Sequence, residues 1–398
     1  MSLIPLKPLV DYAAKNRIAH GAFNVNMIAQ AEAVVEIHTI FNSAAIIQGA
    51  DLANAFMGGR ADFMNGTLED KKLGAKRIAD AVGKLAETTS IPIVLHLDHG
   101  KSFDAVKAAI DSGYTSVMID GSSLSYNDNA ELTREVVKYA HERGVSVEAE
   151  LGVLAGVEDD VFSEASTYTN PMTVCDFFKK TGCDCLAISY GTKHGAVKGE
   201  NVRLRKEIAI AAMENMRHEG IEGALVSHGS SMVPKYLVDE INELGGNIKN
   251  AGGIPVDELL EVIPCGISKI NIDTDIRLAV TRNIRRLFIE NESFRKEFAD
   301  IWELMEAHPE QFDPRYYLVP VMTPLISGEK CEGAAWNALL RSIKLGVMES
   351  VGTAIVKFGA VGDAPRIPRI SLEEMADIYK KKIMKTTKTT KEQKGAVI

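Results

Sequence analysis

Eight short apolar runs, rich in β-branched residues and each ending near a glycine or a polar cluster, recur along the first 273 residues of this chain. They are GAFNVN (21–26), AAIIQGA (44–50), IPIVLHLDHG (91–100), SVMIDG (116–121), SVEAELG (146–152), CLAISYG (185–191), GALVSHG (223–229) and ISKINID (267–273). Helical patterns fill the gaps. AQAEAVVEIHTIFN (29–42) and LEDKKLGAKRIADAVGKLAE (68–87) carry apolar faces at helical spacing, and 102–113 places Phe103, Val106 and Ile110 on one side. NAELTREVVKYAHERG (129–144) ends in a glycine stop, and 170–182 opens with Asn170 as cap and Pro171 in the first turn. Strands that alternate with helices pair in parallel through helical crossovers. Eight of them predict an α/β chain of the (β/α)8 TIM-barrel class.

After the eighth run the pattern changes. Residues 276–307 read as a long helical region, and 321–398 add about two more helices. In these, Trp336, Leu339, Leu340 and Ile343 share a face, and Ser371 with Glu374 forms a capping box. The division predicted is a barrel with its helical region over 1–320 and a helical extension over 321–398, whose basic, polar end reads as flexible.

Charge narrows the function classes. With 45 basic and 54 acidic residues the net charge is −9, which argues against a nucleic-acid binder but leaves room for a local basic pocket. No run reaches the roughly 18 apolar residues of a membrane span, and the N-terminus lacks signal-peptide features. Five cysteines, an odd number, read as reduced thiols of a cytoplasmic protein, with Cys183 and Cys185 as alternating strand positions.

The polar residues gather where a barrel of this class does its work, at the C-terminal ends of the strands. His99 ends the third strand, Asp120 the fourth and Glu150 the fifth; His194 follows the sixth and His228 ends the seventh, while Asn271 and Asp273 end the eighth. His99, His194 and His228 share one setting, an apolar strand followed by His-Gly. Three imidazoles from separate strand ends suit Zn²⁺, which takes nitrogen ligands tetrahedrally and keeps a fourth position open when catalytic. The bland alternative is three core histidines, each with its own hydrogen bond. The loops HGSSMVP and NIDTD offer backbone N–H groups and hydroxyls for a phosphate, with Lys198 and Arg277 adding charge. Alternatively, Ser230 and Ser231 only cap the next helix. His96, deeper in the third strand, reads as a hydrogen-bonded barrel residue.

Over about residues 1–320 the chain resembles the class II, metal-dependent fructose-bisphosphate aldolases. The resemblance rests on GAFNVN, HLDHG, SVMIDGS, VEAELGVL, GTKHGAVKG, SHGSSMVP, KINIDTDIRLA and FDPRYYLVP together. It implies reversible cleavage of a ketose bisphosphate between C3 and C4 by a cytoplasmic homodimer or homotetramer, with one catalytic Zn²⁺ per subunit held by His99, His194 and His228. A monovalent cation is an allowed second ion. Asp98 matches the residue that moves the C4-hydroxyl proton, and Glu158 the acid that protonates the carbanionic carbon. Asn24, Gly195, Lys198, Gly229, Ser231 and Thr274 match substrate and phosphate positions, Asn271 and Asp273 the hydroxyl contacts, and Arg277 the distal phosphate. Asp120 and Glu150 match a second metal position or hydrogen-bond partners of the ligands, the latter favoured. Two departures bear on substrate. A serine usual after the second strand is replaced by Ala50 and Asp51, whose carboxylate would repel phosphate, and Lys193 precedes His194. These leave tagatose 1,6-bisphosphate as an alternative substrate. Residues 321–398 have no counterpart in this reading, which also keeps open a non-catalytic sugar-phosphate-binding protein.

Overall fold

A computed structural model describes residues 2–154, 156–158, 161–163, 167–199, 202–329 and 331–395. The first five strands are β1 (His20–Asn24), β2 (Ala45–Ala50), β3 (Ile93–Gly100), β4 (Ser116–Ile119) and β5 (Ser146–Leu151). A small antiparallel hairpin, β6 (Gly156–Glu158) with β7 (Val161–Ser163), precedes β8 (Cys185–Ile188), β9 (Ala224–Ser227) and β10 (Ile267–Ile272). All but the hairpin close into one parallel barrel, in the order β1-β10-β9-β8-β5-β4-β3-β2. All eight sequence-predicted strands are present, and every residue of the barrel strands is buried. That is why they read as continuous apolar runs: helices cover the outside of a parallel sheet and side chains fill the inside.

The helices start where the sequence signals them. Thr67 and Asp70 close a capping box on Leu68–Thr88, Ser102 accepts from Ala105 N–H, and Asn170 accepts from Met172 N–H with Pro171 in the first turn. The N-terminal helix Leu6–Asn16 plugs the end of the barrel away from the site. Its Leu6, Leu9 and Val10 pack with Ala22, Ile46, Val94, Ala187 and Val226.

Residues 274–307 form three helices rather than one, Thr274–Glu290, Glu292–Glu297 and Ala299–Ala307, because Asn291 and Phe298 leave helical backbone angles. Beyond them the helix Ala334–Lys357 lies against Thr274–Glu290 and Ile28–Ile40. The approach is close at Gly346, where a Cβ would stand 2.7 Å from Val280 N. Trp336, Leu339 and Ile343 bury their shared face as expected, with Leu340 partly buried beside them. The last helix, Leu372–Gly395, starts on the Ser371–Glu374 capping box. It docks through Tyr379, whose ring stacks on His141 at 3.5 Å while its hydroxyl donates to Asp184 Oδ2 at 2.9 Å. All five cysteines are free thiols, and no described helix is long and apolar enough to cross a membrane.

Candidate active site

Strand β3 brings two adjacent residues, Asp98 and His99, to the same mouth, which strict period-2 alternation forbids. The pairing of β3 with β4 is irregular between Leu97 and Gly100, and His99 takes a left-handed backbone with φ 47°. A bulge of this kind re-aims a side chain, and a non-glycine residue held there costs on the order of 1–3 kcal/mol. Neighbours fix both side chains. Asp98 Oδ1 accepts from Asn271 Nδ2 at 2.9 Å and Oδ2 from Asn24 Nδ2 at 3.2 Å. Gln48 Nε2 in turn donates to Asn24 Oδ1 at 2.6 Å, so that amide cannot turn over freely.

The rings of His99, His194 and His228 converge, with centroids 5.4 Å (His194) and 4.7 Å (His228) from that of His99. His99 Nδ1 faces Asp120 Oδ2 at 3.1 Å, and Ser122 N–H and Oγ–H hold the other Asp120 oxygen. His228 Nε2 faces Glu148 Oε1 at 2.7 Å. With those nitrogens committed as donors, the lone pairs of His99 Nε2 and His228 Nδ1 point at one another across 3.1 Å, and Glu150 Oε2 lies 3.3 Å from the latter. Such an arrangement needs a proton or a cation at its centre. Zn–N bonds of about 2.0–2.1 Å at tetrahedral angles put ligand nitrogens about 3.4 Å apart and ring centroids about 5 Å apart. The residues present fit that ion. The surroundings favour positive charge here: burial disfavours a charged ring, yet Asp98, Asp120 and Glu150 push the pKa of His99 well above its ordinary value. His228, equally buried, is raised to about 9 by Glu148 and Glu150. Among the described residues, ligand atoms also cluster as Asp98–His99–His228 and as His99–Asp120–Glu150. His194 belongs to neither tight group and reaches the site through its ring contact with His99.

Beneath this cluster lie residues the sequence reading passed over. Glu148 accepts from His228 on one oxygen, and its other oxygen pairs with Lys269 Nζ at 3.0 Å, all fully buried. Burial opposes the charge of Glu148, but Lys269 and His228 hold its carboxyl far below the usual range. Parity was the available signal, since Glu148 alternates with Glu150 along β5 and Lys269 with Asn271 along β10. His96 donates to or accepts from Ser116 Oγ at 2.8 Å, a barrel residue as expected.

The phosphate candidates fall on the loops after β8 and β9 and on the start of Thr274–Glu290. Ser231 Oγ accepts from the backbone N–H of Asp273 (3.3 Å) and of Thr274 (3.2 Å). It therefore caps the helix after β10, not the one that follows it in sequence. Lys198 is buried, and its Nζ donates to Gly229 O at 2.6 Å and to Lys193 O, tying the two loops together. Gly229 has φ 59°, and a Cβ there would sit 2.6 Å from the Lys193 carbonyl carbon, so only glycine fits. Gly195, also at positive φ (79°), follows His194 in the other loop. Arg277 Nε donates to Asp273 Oδ1 at 2.9 Å and Nη1 to Asp313 Oδ2 at 3.1 Å. Asp51 does not face the mouth as a bare charge, because Lys71 Nζ pairs with it at 2.6 Å. The backbone of Glu158 lies in the hairpin after β5, and its side chain falls outside the described residues.

Barrel and mouth together have the form of a TIM-barrel enzyme, with the candidate residues gathered at the C-terminal ends of the strands. Residues 4–327 match the family described as fructose-bisphosphate aldolase class-II. The chain belongs to that family, and it is an aldolase, a carbon–carbon lyase. It is 35% identical over 381 residues to the fructose-bisphosphate aldolase of Giardia intestinalis, covering 96% of this chain and 100% of the relative. Against that of Treponema pallidum it is 37% identical over 337 residues, covering 82% and 93%. The Giardia match leaves only 4% of this chain uncovered, so most of residues 321–398 do have a counterpart, contrary to the sequence reading. Among solved structures, the fructose-bisphosphate aldolase of Campylobacter jejuni superposes with TM-score 0.64 at 21% identity, over 91% of this chain and 96% of its own, a likeness of fold.

Proposed function

We propose that this aldolase is zinc-dependent and reversibly cleaves fructose 1,6-bisphosphate into dihydroxyacetone phosphate and glyceraldehyde 3-phosphate. The observation that carries the reading is the convergence of three imidazoles beside a carboxylate braced by two amides. His99, His194 and His228 hold the ion, and Asp120 and Glu150 act on the ligands as hydrogen-bond partners. When bound, the metal polarises the ketose carbonyl as a Lewis acid. Asp98 removes the proton of the C4 hydroxyl; the C3–C4 bond breaks, and its electron pair is left on the three-carbon fragment. Glu158 returns a proton to C3 of that fragment. Asn24, Asn271 and Asp273 orient the substrate hydroxyls. Gly195, Lys198, Gly229, Ser231 and Thr274 take the phosphate next to the carbonyl, and Arg277 takes the distal one.

The Lys71–Asp51 pair removes the electrostatic objection that Asp51 raised to a phosphorylated substrate. The working form is a homodimer or homotetramer, to be read by analytical ultracentrifugation. The test of function is triose phosphate release from fructose 1,6-bisphosphate before and after metal removal. Loss of activity on chelation and its return with Zn²⁺ is the expected result. Activity that survives complete removal refutes the mechanism, and a higher kcat/KM for tagatose 1,6-bisphosphate refutes the substrate.

A further inference from the structure

We infer that Lys269, deep in the barrel and touching neither substrate nor metal, is the positioning residue that sets the orientation of both halves of the site. The inference rests on the metal and proton-transfer roles proposed above. Lys269 is fully buried on β10, at a point where an apolar side chain of similar length would fill the space without the cost of burying an ammonium. Its ammonium makes two contacts that lead outward in different directions. One is to Glu148 Oε2 at 3.0 Å, the other to Asn271 Oδ1 at 2.7 Å.

An ammonium has protons and no lone pair, so each contact works in one direction only. Toward Asn271 it admits only the carbonyl oxygen. The amide nitrogen is thereby turned outward, where it donates to Asp98 Oδ1 at 2.9 Å. Asn271 could otherwise present either end, because an amide turns over with little change of shape. Toward Glu148 the ammonium engages one carboxylate oxygen and balances its charge, leaving the other to accept from His228 Nε2 at 2.7 Å. That contact fixes the tautomer of His228 and turns its Nδ1 lone pair toward His99 Nε2. One buried cation thus aims the proton-moving carboxylate through one neighbour and a metal-binding imidazole through another. The corresponding brace on Asn24 comes from Gln48, whose own amide can turn over, so Lys269 is the contact of fixed polarity.

The test compares wild type with Lys269→Met, each stripped and reloaded with Co²⁺, whose visible spectrum reports ligand geometry. The expected result is Co²⁺ affinity weaker by about tenfold or more, an altered spectrum, and kcat at saturating metal lowered by about tenfold or more with KM little changed. Should the single variant fail to fold, Lys269→Met combined with Glu148→Gln removes both charges of the buried pair and leaves neither unpaired. It is expected to fold and to show the same loss of kcat, because Asn271 still lacks its fixed partner. A purely structural role would lower stability alone. Folded variants that keep the wild-type spectrum, Co²⁺ affinity and kcat overturn the inference. Wild-type protein that takes up no divalent metal overturns the metal reading and the inference with it, and that result shows before any variant is made.

Discussion

Replacing Asp98 with Asn separates proton transfer from metal binding, and the structure sets the size of each effect. Asp98 now accepts from two amides, Asn271 at 2.9 Å and Asn24 at 3.2 Å. Asn271 cannot reverse at no cost, because Lys269 occupies its Oδ1, and Asn24 reverses only if Gln48, which donates to its Oδ1, turns over with it. In Asp98→Asn the new NH₂ group must face one of these donors. One buried donor is then left unsatisfied, which costs about 1–3 kcal/mol of stability. The larger effect is on turnover. A positioned general base contributes roughly 10²–10⁴ in rate, or about 3–5 kcal/mol of barrel-mouth catalysis. The assay measures zinc content, kcat and thermal midpoint on the same preparation. The expected outcome is one zinc per chain, a modest fall in midpoint, and kcat lower by at least about 10². A variant that loses its zinc makes Asp98 a ligand, in keeping with its place beside His99 and His228. A variant with nearly full turnover makes it a bystander. Either result refutes the assignment.

Acid should weaken the protein through Asp313. Burial opposes its charge, but Arg315 and Arg277 hold its pKa at about 2, against 3.8 for a free aspartate. A folded pKa below the unfolded one gives stability that is present above pH ~4 and lost as the pH falls toward ~2, amounting to about 2 kcal/mol. Denaturant unfolding at pH 5 and at pH 2.5 should show that loss in wild type and a smaller one in Asp313→Asn; equal losses contradict it. Gly229→Ala should cut kcat/KM by about tenfold or more, because its Cβ meets the Lys193 carbonyl in the loop that carries His194. Activity within twofold of wild type would mean the two loops give way easily. Tyr379→Phe keeps the stack on His141 but loses the bond to Asp184, a contact to a charged acceptor worth about 1.5–3 kcal/mol. Its stability should fall while kcat stays unchanged, since Tyr379 packs at the end of the barrel opposite the mouth.

The strand–helix alternation was legible because it reflects burial, and burial is what apolar periodicity records. The same rule misled locally at β3. Alternation places Asp98 and His99 on opposite faces, and the bulge with a left-handed histidine that unites them has no signature in residue type. Asp51 looked like a charge facing phosphate because its partner Lys71 stands 20 residues away on another helix. Glu148 and Lys269 carry no local signal of a role; their meaning depends on both pointing inward at one level of the barrel. The alternative for Ser231, a cap on the next helix in sequence, fails because its hydroxyl accepts from the first amides of a helix more than forty residues on. In each case the deciding contact joins residues far apart in sequence, which a single chain read in order does not expose. The candidate ligands escaped this difficulty because three separate strand ends carried the same local His-Gly signal.

On the mechanism proposed above, three imidazoles hold the working metal while Asp98 stays free to move a proton. Anomalous diffraction at the zinc absorption edge, from crystals of zinc-loaded protein, tests it most directly. One strong peak per chain is expected within bonding distance of ring nitrogens of His99, His194 and His228, with Asp98 uncoordinated. A peak seated instead on His99, Asp120 and Glu150, or bonded to Asp98, would contradict it.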